Sequence, residues 1–298
     1  MRILVTGATG LLGSALVPAL LRAGHEVRAL SRSRRHSSES VDWRVGDLVS
    51  GEGVREAVRD VDAVAHLATS GRRGRGAVDV PGTRALAVLA RAAGVPYLLL
   101  TSMVGADRAP YGHLKDKREA EAVVAGSGLG WTVLRATPYH QWLHRRLSAL
   151  RSLPVLPVDR SLRWQPVHAG EVATRVTELL GAGPADAAVE FGGPQVIDTG
   201  ELVGTWLRAQ GLRRAVVPVR YPGRLYAAQR AGELLTDALP KGGITWRDHL
   251  TPEPAHVFDD DFASEHTASP TSPATQPEGD PDLHVYGGDE GYERPTRS

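Results

Sequence analysis

The sequence predicts an α/β protein with a doubly wound parallel sheet. Short apolar segments alternate with helical patterns through the first half of the chain, and this alternation is typical of parallel strands with helices on both faces of the sheet. Two helical patterns are followed by Gly24 and Gly94, a position where glycine commonly ends a helix. A glycine-rich turn also separates the first strand from the first helix.

The predicted elements of this sheet follow one another in order along the chain. The predicted strands are Arg2–Thr6, Glu26–Leu30, Arg44–Val45, Asp62–Leu67, Pro96–Thr101 and Trp131–Arg135. The predicted helices are Leu11–Ala23, Val80–Ala93 and Lys115–Ala125. Each helix lies between two strands, as a parallel sheet requires.

The pattern changes after about Thr137, because Pro138, Pro154, Pro157 and Pro166 interrupt it. Further helices are predicted at Tyr139–Leu150, Glu171–Leu180, Thr199–Gln210 and Gly223–Leu239, and strands at Ala188–Phe191 and Ala215–Val219. We interpret this part, mainly residues 138–250, as a smaller lobe over the functional edge of a domain that spans residues 1–250. Residues 251–298 are rich in Pro, Ser, Thr, Gly and Asp and predict a disordered tail.

The composition restricts the class of protein. The 298 residues include no cysteine, which excludes disulfides, thiolate nucleophiles and cysteine-bound metals and makes the reducing cytoplasm the expected location. The net charge of +1 and the lack of a long apolar run predict no nucleic-acid or membrane partner. His140 and His144 lie one helical turn apart without a third ligand at a suitable spacing, so no metal is expected. A small-molecule substrate is the expected partner of a monomer or homodimer.

The glycine-rich turn has the spacing of a phosphate-binding loop. Gly7 would permit the tight turn, Gly10 the close approach of a pyrophosphate, and Gly13 the close packing of helix on strand. The start of the helix would bind the phosphates through its free N–H groups and its positive dipole. The segment therefore predicts a dinucleotide site in a Rossmann-type fold. Its expected cofactor-binding residues are Thr6, Gly7, Thr9, Gly10, Leu11, Leu12 and Gly13.

The end of the second strand carries arginines and no acid. NAD sites usually place Asp or Glu here to bind the ribose hydroxyls, whereas this chain has LSRSRR at positions 30–35. Ser31 and Arg32 suit the 2′-phosphate of NADP(H), with Arg34 or Arg35 as auxiliary ligands. We therefore expect NADP as the cofactor and keep NAD as the alternative.

Several segments together resemble one protein superfamily. TGATGLLG at Thr6–Gly13 resembles the loop of atypical short-chain dehydrogenases/reductases, close to the NmrA-like NAD(P)-binding branch. Other segments with this resemblance are Gly46–Leu48, His66–Ala68, Thr101–Gly105, Trp131–Thr137, Gln165–His168, Glu171–Ala173, Gly192–Pro194 and Ile244–Trp246. The resemblance implies further cofactor contacts: the adenine by Asp47 and Leu48, the ribose by Ala68 and Thr69, and the nicotinamide end by Thr137 and Pro138.

The resemblance also implies a catalytic Ser, Tyr and Lys, with Tyr and Lys four residues apart on one helix. Tyr111 and Lys115 match this spacing literally. His113 and Lys117 match it too, and this second register also supplies the usual downstream acid, Glu121. We prefer the second register, which puts His113 at the tyrosine position. A lysine that binds the cofactor ribose is favoured in both registers, because the chain otherwise uses arginine almost throughout.

These residues predict an NADP(H)-dependent oxidoreductase that acts on a small organic substrate. Lys117 would bind the cofactor, Ser102 would orient the substrate oxygen, and His113 or Tyr111 would move the proton. The histidine at the tyrosine position leaves a non-catalytic, dinucleotide-sensing NmrA-like protein as an alternative. An epimerase or dehydratase with tightly held NAD is a further alternative if Tyr111 belongs to the true catalytic pair.

Overall fold

The fold is the predicted doubly wound α/β architecture. The structure, a computed structural model, describes residues 1–35, 40–69, 78–240 and 243–251. Seven parallel strands form the main sheet in the order β3-β2-β1-β4-β5-β6-β9. Their bounds are β1 Arg2–Thr6, β2 Glu26–Ser31, β3 Val41–Val45, β4 Ala63–His66, β5 Tyr97–Met103, β6 Gly130–Ala136 and β9 Ala187–Phe191. The order reverses beside β1, which creates a crevice at the carboxyl ends of the strands.

Helices cover both faces of this sheet. The helices of the described residues are α1 Leu11–Arg22, α2 Val54–Ala57, α3 Thr83–Ala92, α4 His113–Ala125, α5 His140–Ala149, α6 Ala169–Ala182, α7 Thr199–Ala209, α8 Arg224–Ala231 and α9 Trp246–Leu250. On one face, α1 and α6 bury apolar side chains against the sheet. On the other face, α2, α3 and α4 form a second apolar layer. The two layers hold the strand ends, and so the site at those ends, in fixed positions.

The second half of the chain contributes to both parts of the molecule. Strand β9 pairs in parallel with β6, and α6 packs beside α1, so both belong to the main sheet layers rather than to a separate lobe. The lobe itself contains two small sheets, in which β7 Val155–Val158 pairs with β11 Ala215–Pro218 and β8 Arg163–Trp164 pairs with β10 Ile197–Asp198. Its apolar core includes Trp206 and Trp246. Elements that follow residue 138 in the chain therefore belong partly to the main sheet layers and partly to the lobe.

Two predicted helices have different bounds in the structure. The helix expected at Val80–Ala93 begins as a π-helical segment, Val78–Gly82, which contains Pro81. Pro81 has no N–H to donate, which is tolerated in the first turn because N–H groups there have no acceptor within the helix. The helix expected at Gly223–Leu239 ends at Ala231, because Gly232 adopts the left-handed conformation at φ 85°.

Two further expectations concern membrane spans and the tail. None of the helices in the described ranges is long and apolar enough to cross a membrane. The tail expected at residues 251–298 lies, beyond residue 251, outside the described residues.

Candidate functional site

The glycine loop packs so closely against its neighbours that side chains are excluded. Gly7 has φ +70°, and a Cβ there would lie 2.7 Å from the backbone nitrogen of Ala68. A Cβ at Gly13 would overlap the Gly7 carbonyl oxygen and the backbone of Ala8. A Cβ at Gly10 would meet one described atom within 4 Å, the Gly7 carbonyl oxygen at 3.1 Å, so the space outside Gly10 is open. The loop therefore forms an open cradle of backbone at the end of β1.

The start of α1 faces this cradle without a side-chain cap from the described residues. Leu12 is buried in the core and Leu11 is half-buried, so these two leucines offer a ligand their backbone N–H groups. Thr9 is exposed at the rim of the loop. An uncapped helix start with a positive dipole suits the pyrophosphate of a dinucleotide, and the residues present fit that group.

The side chain of Thr6 is hydrogen-bonded within the core. Its side chain is fully buried, and its hydroxyl lies 2.7 Å from Nδ1 of His66. Nε2 of His66 lies 2.8 Å from the hydroxyl of Thr83, which donates to the Asp79 carbonyl oxygen at 2.6 Å. Since the Thr83 proton is used in that bond, His66 donates from Nε2 and accepts from Thr6 at Nδ1. The Thr6 hydroxyl thus points into the core, and only its backbone is left for a cofactor.

The ends of β2 and β3 form the adjoining part of the crevice. Ser31 ends β2, and its hydroxyl accepts a hydrogen bond from the Ser33 N–H at 3.3 Å. Arg32 is exposed, whereas the Arg35 guanidinium lies 5.3 Å from the centre of the Trp43 ring. The arginine-rich turn therefore contains one side chain that packs on an aromatic ring.

The segment after β3 forms a turn that is held by a hydrogen bond between its own residues. The Asp47 carboxylate accepts the Val49 N–H at 2.6 Å, and Leu48 is buried in the apolar layer under α2. Both side chains shape the turn. Asp47 retains its second carboxylate oxygen and is half-buried, which leaves its predicted contact with the adenine as a prediction.

A buried ion pair lies one residue beyond the glycine-loop contact. Ala68 touches Gly7, and the next residue, Thr69, donates its hydroxyl to Asp79 Oδ1 at 2.7 Å. The same oxygen lies 2.9 Å from Nζ of Lys117, and the side chains of Lys117 and Asp79 are only 12% and 7% exposed. The hydroxyl of Thr69 is therefore directed to Asp79, and the predicted ribose-binding Lys117 already has an anionic partner.

His113 lies on the same helix, four residues before Lys117, and is half-buried. Burial and, to a smaller extent, the Lys117 ammonium lower the pKa of His113 to about 4, while the Asp79 carboxylate acts in the opposite direction. Burial likewise lowers the pKa of His66 to about 3. Both imidazoles are therefore neutral at pH 7. A neutral imidazole can donate or accept one hydrogen bond at each nitrogen, but it carries no imidazolium proton.

The alternative register, Tyr111 with Lys115, does not form a helical pair in the structure. Helix α4 begins at His113, after Gly112 at φ 56°, so Tyr111 precedes it. The Tyr111 hydroxyl accepts a hydrogen bond from Arg224 at 3.0 Å, and that guanidinium lies 4.3 Å from the centre of the ring. Lys115 is 68% exposed and faces Glu119. The Tyr111 side chain thus turns to α8, and its predicted part in moving the substrate proton stays a prediction.

Ser102 is bonded within the protein, and its predicted contact with a substrate oxygen stays a prediction. Ser102 is buried at the end of β5, and its hydroxyl donates to Glu121 Oε1 at 2.5 Å. Glu121 in turn pairs with Arg135 at 2.7 Å, and Arg135 pairs with Asp107 at 2.6 Å. The Ser102 hydroxyl belongs to this network between β5, α4 and β6, and its proton is already donated within the protein.

The nicotinamide-side residues are likewise bonded within the protein. Thr137 is buried, and its hydroxyl accepts the Gly193 N–H at 3.1 Å. The Pro138 carbonyl oxygen accepts the Val167 N–H at 3.0 Å. These bonds fix the chain where it leaves β6. Contacts of Thr137 and Pro138 with a cofactor stay predictions.

Sequence reasoning missed Asp79, the residue that joins the ribose-side loop to α4. An available signal was helical spacing: Leu114, Lys117 and Glu121 lie on one face of α4, and all three side chains are buried or nearly so. A lysine on a buried face requires an acidic partner. The identity of that partner could not be read from the sequence, because Asp79 lies far away along the chain.

A second unforeseen cluster lies in the lobe, where His168 and His249 join His140 and His144. The His249 ring centre lies 5.2 Å from that of His140, 5.7 Å from that of His168 and 5.8 Å from that of His144. Burial and the neighbouring histidines lower the pKa of His140 to about 3 and that of His249 to about 4. His168 caps α6 by accepting the Gly170 N–H. Within the described ranges, no three acidic or histidine side chains are arranged to hold a metal.

Comparisons with known proteins agree with this geometry. Residues 7–150 match the NAD(P)H-binding family. An uncharacterized protein of Mycobacterium tuberculosis is 31% identical over 227 residues, which cover 74% of this chain and 24% of that protein. The chain therefore spans about a quarter of the length of the first curated relatives that it matches.

Two solved structures share the fold. A nucleoside-diphosphate-sugar epimerase from Staphylococcus aureus has a TM-score of 0.71 at 18% identity, with 84% of this chain and 99% of that chain covered. An NADPH-dependent quinone oxidoreductase from Escherichia coli, complexed with NADPH, has a TM-score of 0.71 at 19% identity, with 83% and 98% covered. Residues 7–150 thus match an NAD(P)-binding domain, and the structural neighbours of the chain include NAD(P)-binding epimerase-like and short-chain dehydrogenase/reductase-like proteins.

Proposed function

We propose that the protein is an NADP(H)-dependent oxidoreductase that transfers a hydride to or from a small organic substrate. The observation that carries the proposal is the direct connection between the glycine loop and the buried Lys117. Gly7 contacts Ala68, the next residue Thr69 binds Asp79, and Asp79 binds Lys117. The backbone that would bind the phosphates and the cation that would bind the sugar therefore lie at the same sheet edge, which supports a dinucleotide there.

The preference for NADP(H) rests on the turn after β2. LSRSRR at positions 30–35 has no acid to bind a free 2′-hydroxyl and offers three arginines to a 2′-phosphate. The Escherichia coli neighbour, which shares only the fold, is described as NADPH-dependent. In this chain, the specificity depends on the arginines themselves.

Each part of the site would have its own role in binding or catalysis. When bound, the nicotinamide supplies or accepts the hydride. The start of α1 holds the pyrophosphate, and Lys117, kept in place by Asp79, binds the adjoining ribose. Neutral His113 donates a hydrogen bond to the substrate oxygen, which polarises the bond to the reacting carbon, and in the reductive direction that oxygen would take up its proton from bulk solvent. The substrate would lie between His113 and the lobe.

A dinucleotide-binding regulatory protein without turnover is the second candidate function. Carbonyl reduction needs a proton as well as a hydride, and a histidine whose pKa is about 4 carries no imidazolium proton at pH 7. This observation favours a protein that binds the dinucleotide and signals its redox state. The epimerase alternative has less support, because Tyr111 precedes α4 and contacts Arg224.

Titration with NADPH and NADH, followed by nicotinamide fluorescence, tests the cofactor assignment. The wild type should bind NADPH more tightly than NADH, and Arg32→Ala should weaken NADPH selectively. Lys117→Ala should weaken both nucleotides, while Lys115→Ala, a change on the exposed face of the same helix, should weaken neither. Equal affinity for both nucleotides would contradict the NADP preference, and absence of binding would contradict the proposed function.

Turnover separates the two candidate functions. Wild type and His113→Tyr are compared for NADPH oxidation with a panel of quinones, ketones and aldehydes. An oxidoreductase should show catalysed oxidation in the wild type with at least one class of acceptor. NADPH binding without wild-type turnover, together with turnover in His113→Tyr, would support the regulatory protein and overturn the oxidoreductase.

A further inference from the structure

An arginine–tryptophan pair stands beside the predicted 2′-phosphate position. The guanidinium carbon of Arg35 lies 5.3 Å from the centre of the Trp43 ring, within the range of a cation–π contact. Trp43 is a residue of the edge strand β3, where it pairs with Ala29 of β2. Arg35 lies four residues after Ser31, the last residue of β2. The pair therefore connects the turn after β2 to the neighbouring strand.

The face on which the pair lies is the face of the glycine loop. Trp43 packs on the apolar cluster that contains Leu12 and Leu16 of α1, and α1 is the helix whose start faces the pyrophosphate cradle. The ends of β1 and β2 are adjacent, since Thr6 pairs with Leu30. A dinucleotide that places its pyrophosphate at α1 therefore places its adenine ribose over the end of β2, on the side where Trp43 holds Arg35.

The other charged residues described in this region are arranged differently. Arg32 and Arg34 are exposed, whereas Arg35 is half-buried. Asp42, which precedes Trp43 in β3 and so points to the opposite face, pairs with Arg28 at 2.8 Å and with Arg44 at 2.9 Å. Its carboxylate is therefore directed away from Arg35 and does not compete with an anionic ligand there.

We propose that Trp43 is a specificity-determining positioning residue, which holds the Arg35 guanidinium for the 2′-phosphate of NADP(H). The proposal rests on the proposed function, since it requires a dinucleotide at the glycine loop. Stacking on the indole restricts the long arginine side chain before the ligand arrives, so less rotamer freedom is lost on binding. The planar guanidinium then forms charge-assisted hydrogen bonds with phosphate oxygens. NADH has no phosphate at this position and gains nothing from the pair.

The test is the ratio of the Kd for NADH to the Kd for NADPH, measured by nicotinamide fluorescence on the full chain. The variants are Arg35→Gln, Trp43→Leu and Trp43→Phe. We expect Trp43→Leu to lower the ratio about fivefold, Trp43→Phe to lower it less, and Arg35→Gln to lower it about tenfold or more. Displacement of NADPH by 2′,5′-ADP and by ADP should show the same selectivity. A merely structural lesion weakens both nucleotides and leaves the ratio unchanged.

The chain offers a matched control in the lobe. There the Arg146 guanidinium lies 5.6 Å from the centre of the Trp142 ring, so Trp142→Leu removes a similar pair and should leave the ratio unchanged. A wild type that prefers NADPH, with an unchanged ratio in Trp43→Leu and Trp43→Phe, would overturn this proposal alone. A wild type without any preference for NADPH would overturn the NADP assignment together with it. If Trp43→Leu does not fold, Trp43→Phe and Arg35→Gln still decide the result.

Discussion

The glycine loop and the start of α4 form neighbouring parts of one crevice, yet they are built in opposite ways. The glycine loop is a continuous segment that presents backbone, and its glycines exclude Cβ atoms from the contacts with Ala8 and Ala68. The start of α4 presents side chains from three separate segments, with Lys117 and His113 on the helix, Asp79 on the π-helical segment and Thr69 after β4. The glycine loop depends on the absence of side-chain volume, whereas the start of α4 depends on the pairing of buried charges.

This difference predicts how each region tolerates change. In the loop, even one methyl group added to a glycine meets fixed backbone, which cannot move without moving a strand or a helix. In the α4 cluster, a substitution of similar shape fits, but it leaves a charge or a hydrogen-bonding group buried without its partner. The loop should therefore respond to volume, and the cluster should respond to charge and to pH.

The largest effect is expected from Gly13→Val. The side chain would overlap the Gly7 carbonyl oxygen and the Ala8 backbone, so we expect a loss of about 4–5 kcal/mol in the free energy of unfolding and no measurable NADPH binding. Urea denaturation and nucleotide titration measure the two effects. Gly181→Ala, in α6 with open space around the added methyl group, is the control; it should leave NADPH affinity unchanged and raise the free energy of unfolding by at most about 1 kcal/mol. Normal NADPH affinity in Gly13→Val would contradict the close packing of the loop.

The next largest effect is expected from Lys117→Met. The change leaves the Asp79 carboxylate buried without its cation, which should cost about 3–4 kcal/mol in the free energy of unfolding. Adding Asp79→Asn to this variant should recover part of the loss, because the unpaired charge is then removed. Lys115→Met, on the exposed side of α4, should cost less than about 0.5 kcal/mol. If Lys115→Met and Lys117→Met lost equal free energies of unfolding, Lys117 would not form a buried ion pair with Asp79.

Acidification should destabilise the α4 cluster while leaving the glycine loop, which has no titratable side chain, without a direct effect. The folded-state pKa values of His66 and His113 are about 3 and about 4, below the value of about 6.5 for an unfolded chain. Between these values the unfolded state binds more protons, so stability falls as the pH falls from about 6.5 to 4. Each histidine should cost about 2 kcal/mol at pH 5.

Unfolding free energies measured from pH 7.5 to 5 check this prediction. His113→Gln has no imidazole to titrate and should lose about 2 kcal/mol less than the wild type over this interval. The lobe histidines His140 and His249 titrate in both proteins, so their contribution cancels in the difference. Parallel pH profiles for the wild type and His113→Gln would mean that His113 is not held neutral by the fold.

The smallest effect is expected from Tyr111→Phe. The change removes the hydrogen bond from Arg224 but keeps the ring under the guanidinium, so it should cost about 0.5–1 kcal/mol. Nucleotide affinity and any turnover should be unchanged, because the hydroxyl faces α8 rather than the crevice. A drop in turnover of a hundredfold or more would instead support Tyr111 as the proton-transferring residue.

The fold and the glycine loop could be predicted from sequence because both depend on local patterns. The first six predicted strands lie in the main sheet with bounds close to the expected ones, and Gly7 and Gly13 make the close contacts that their spacing predicts. The place of β9 could not be predicted in the same way. Its pairing with β6 joins residues separated by two helices and two short strands, and such long-range pairing leaves no periodic trace in the sequence.

The sequence by itself determined which candidate binding segments the chain contains and the order in which they follow one another. The glycines come first, the arginines without an acid come next, and a histidine and two lysines lie on a later helix. Only the tertiary structure decided which of those side chains face inward. Lys117 is buried and Lys115 is exposed because α4 packs one face on the sheet, and Asp79 becomes the partner of Lys117 because the π-helical segment packs beside that face. A buried charge needs a partner that is close in space, and such a partner cannot be identified from local patterns when it is distant along the chain.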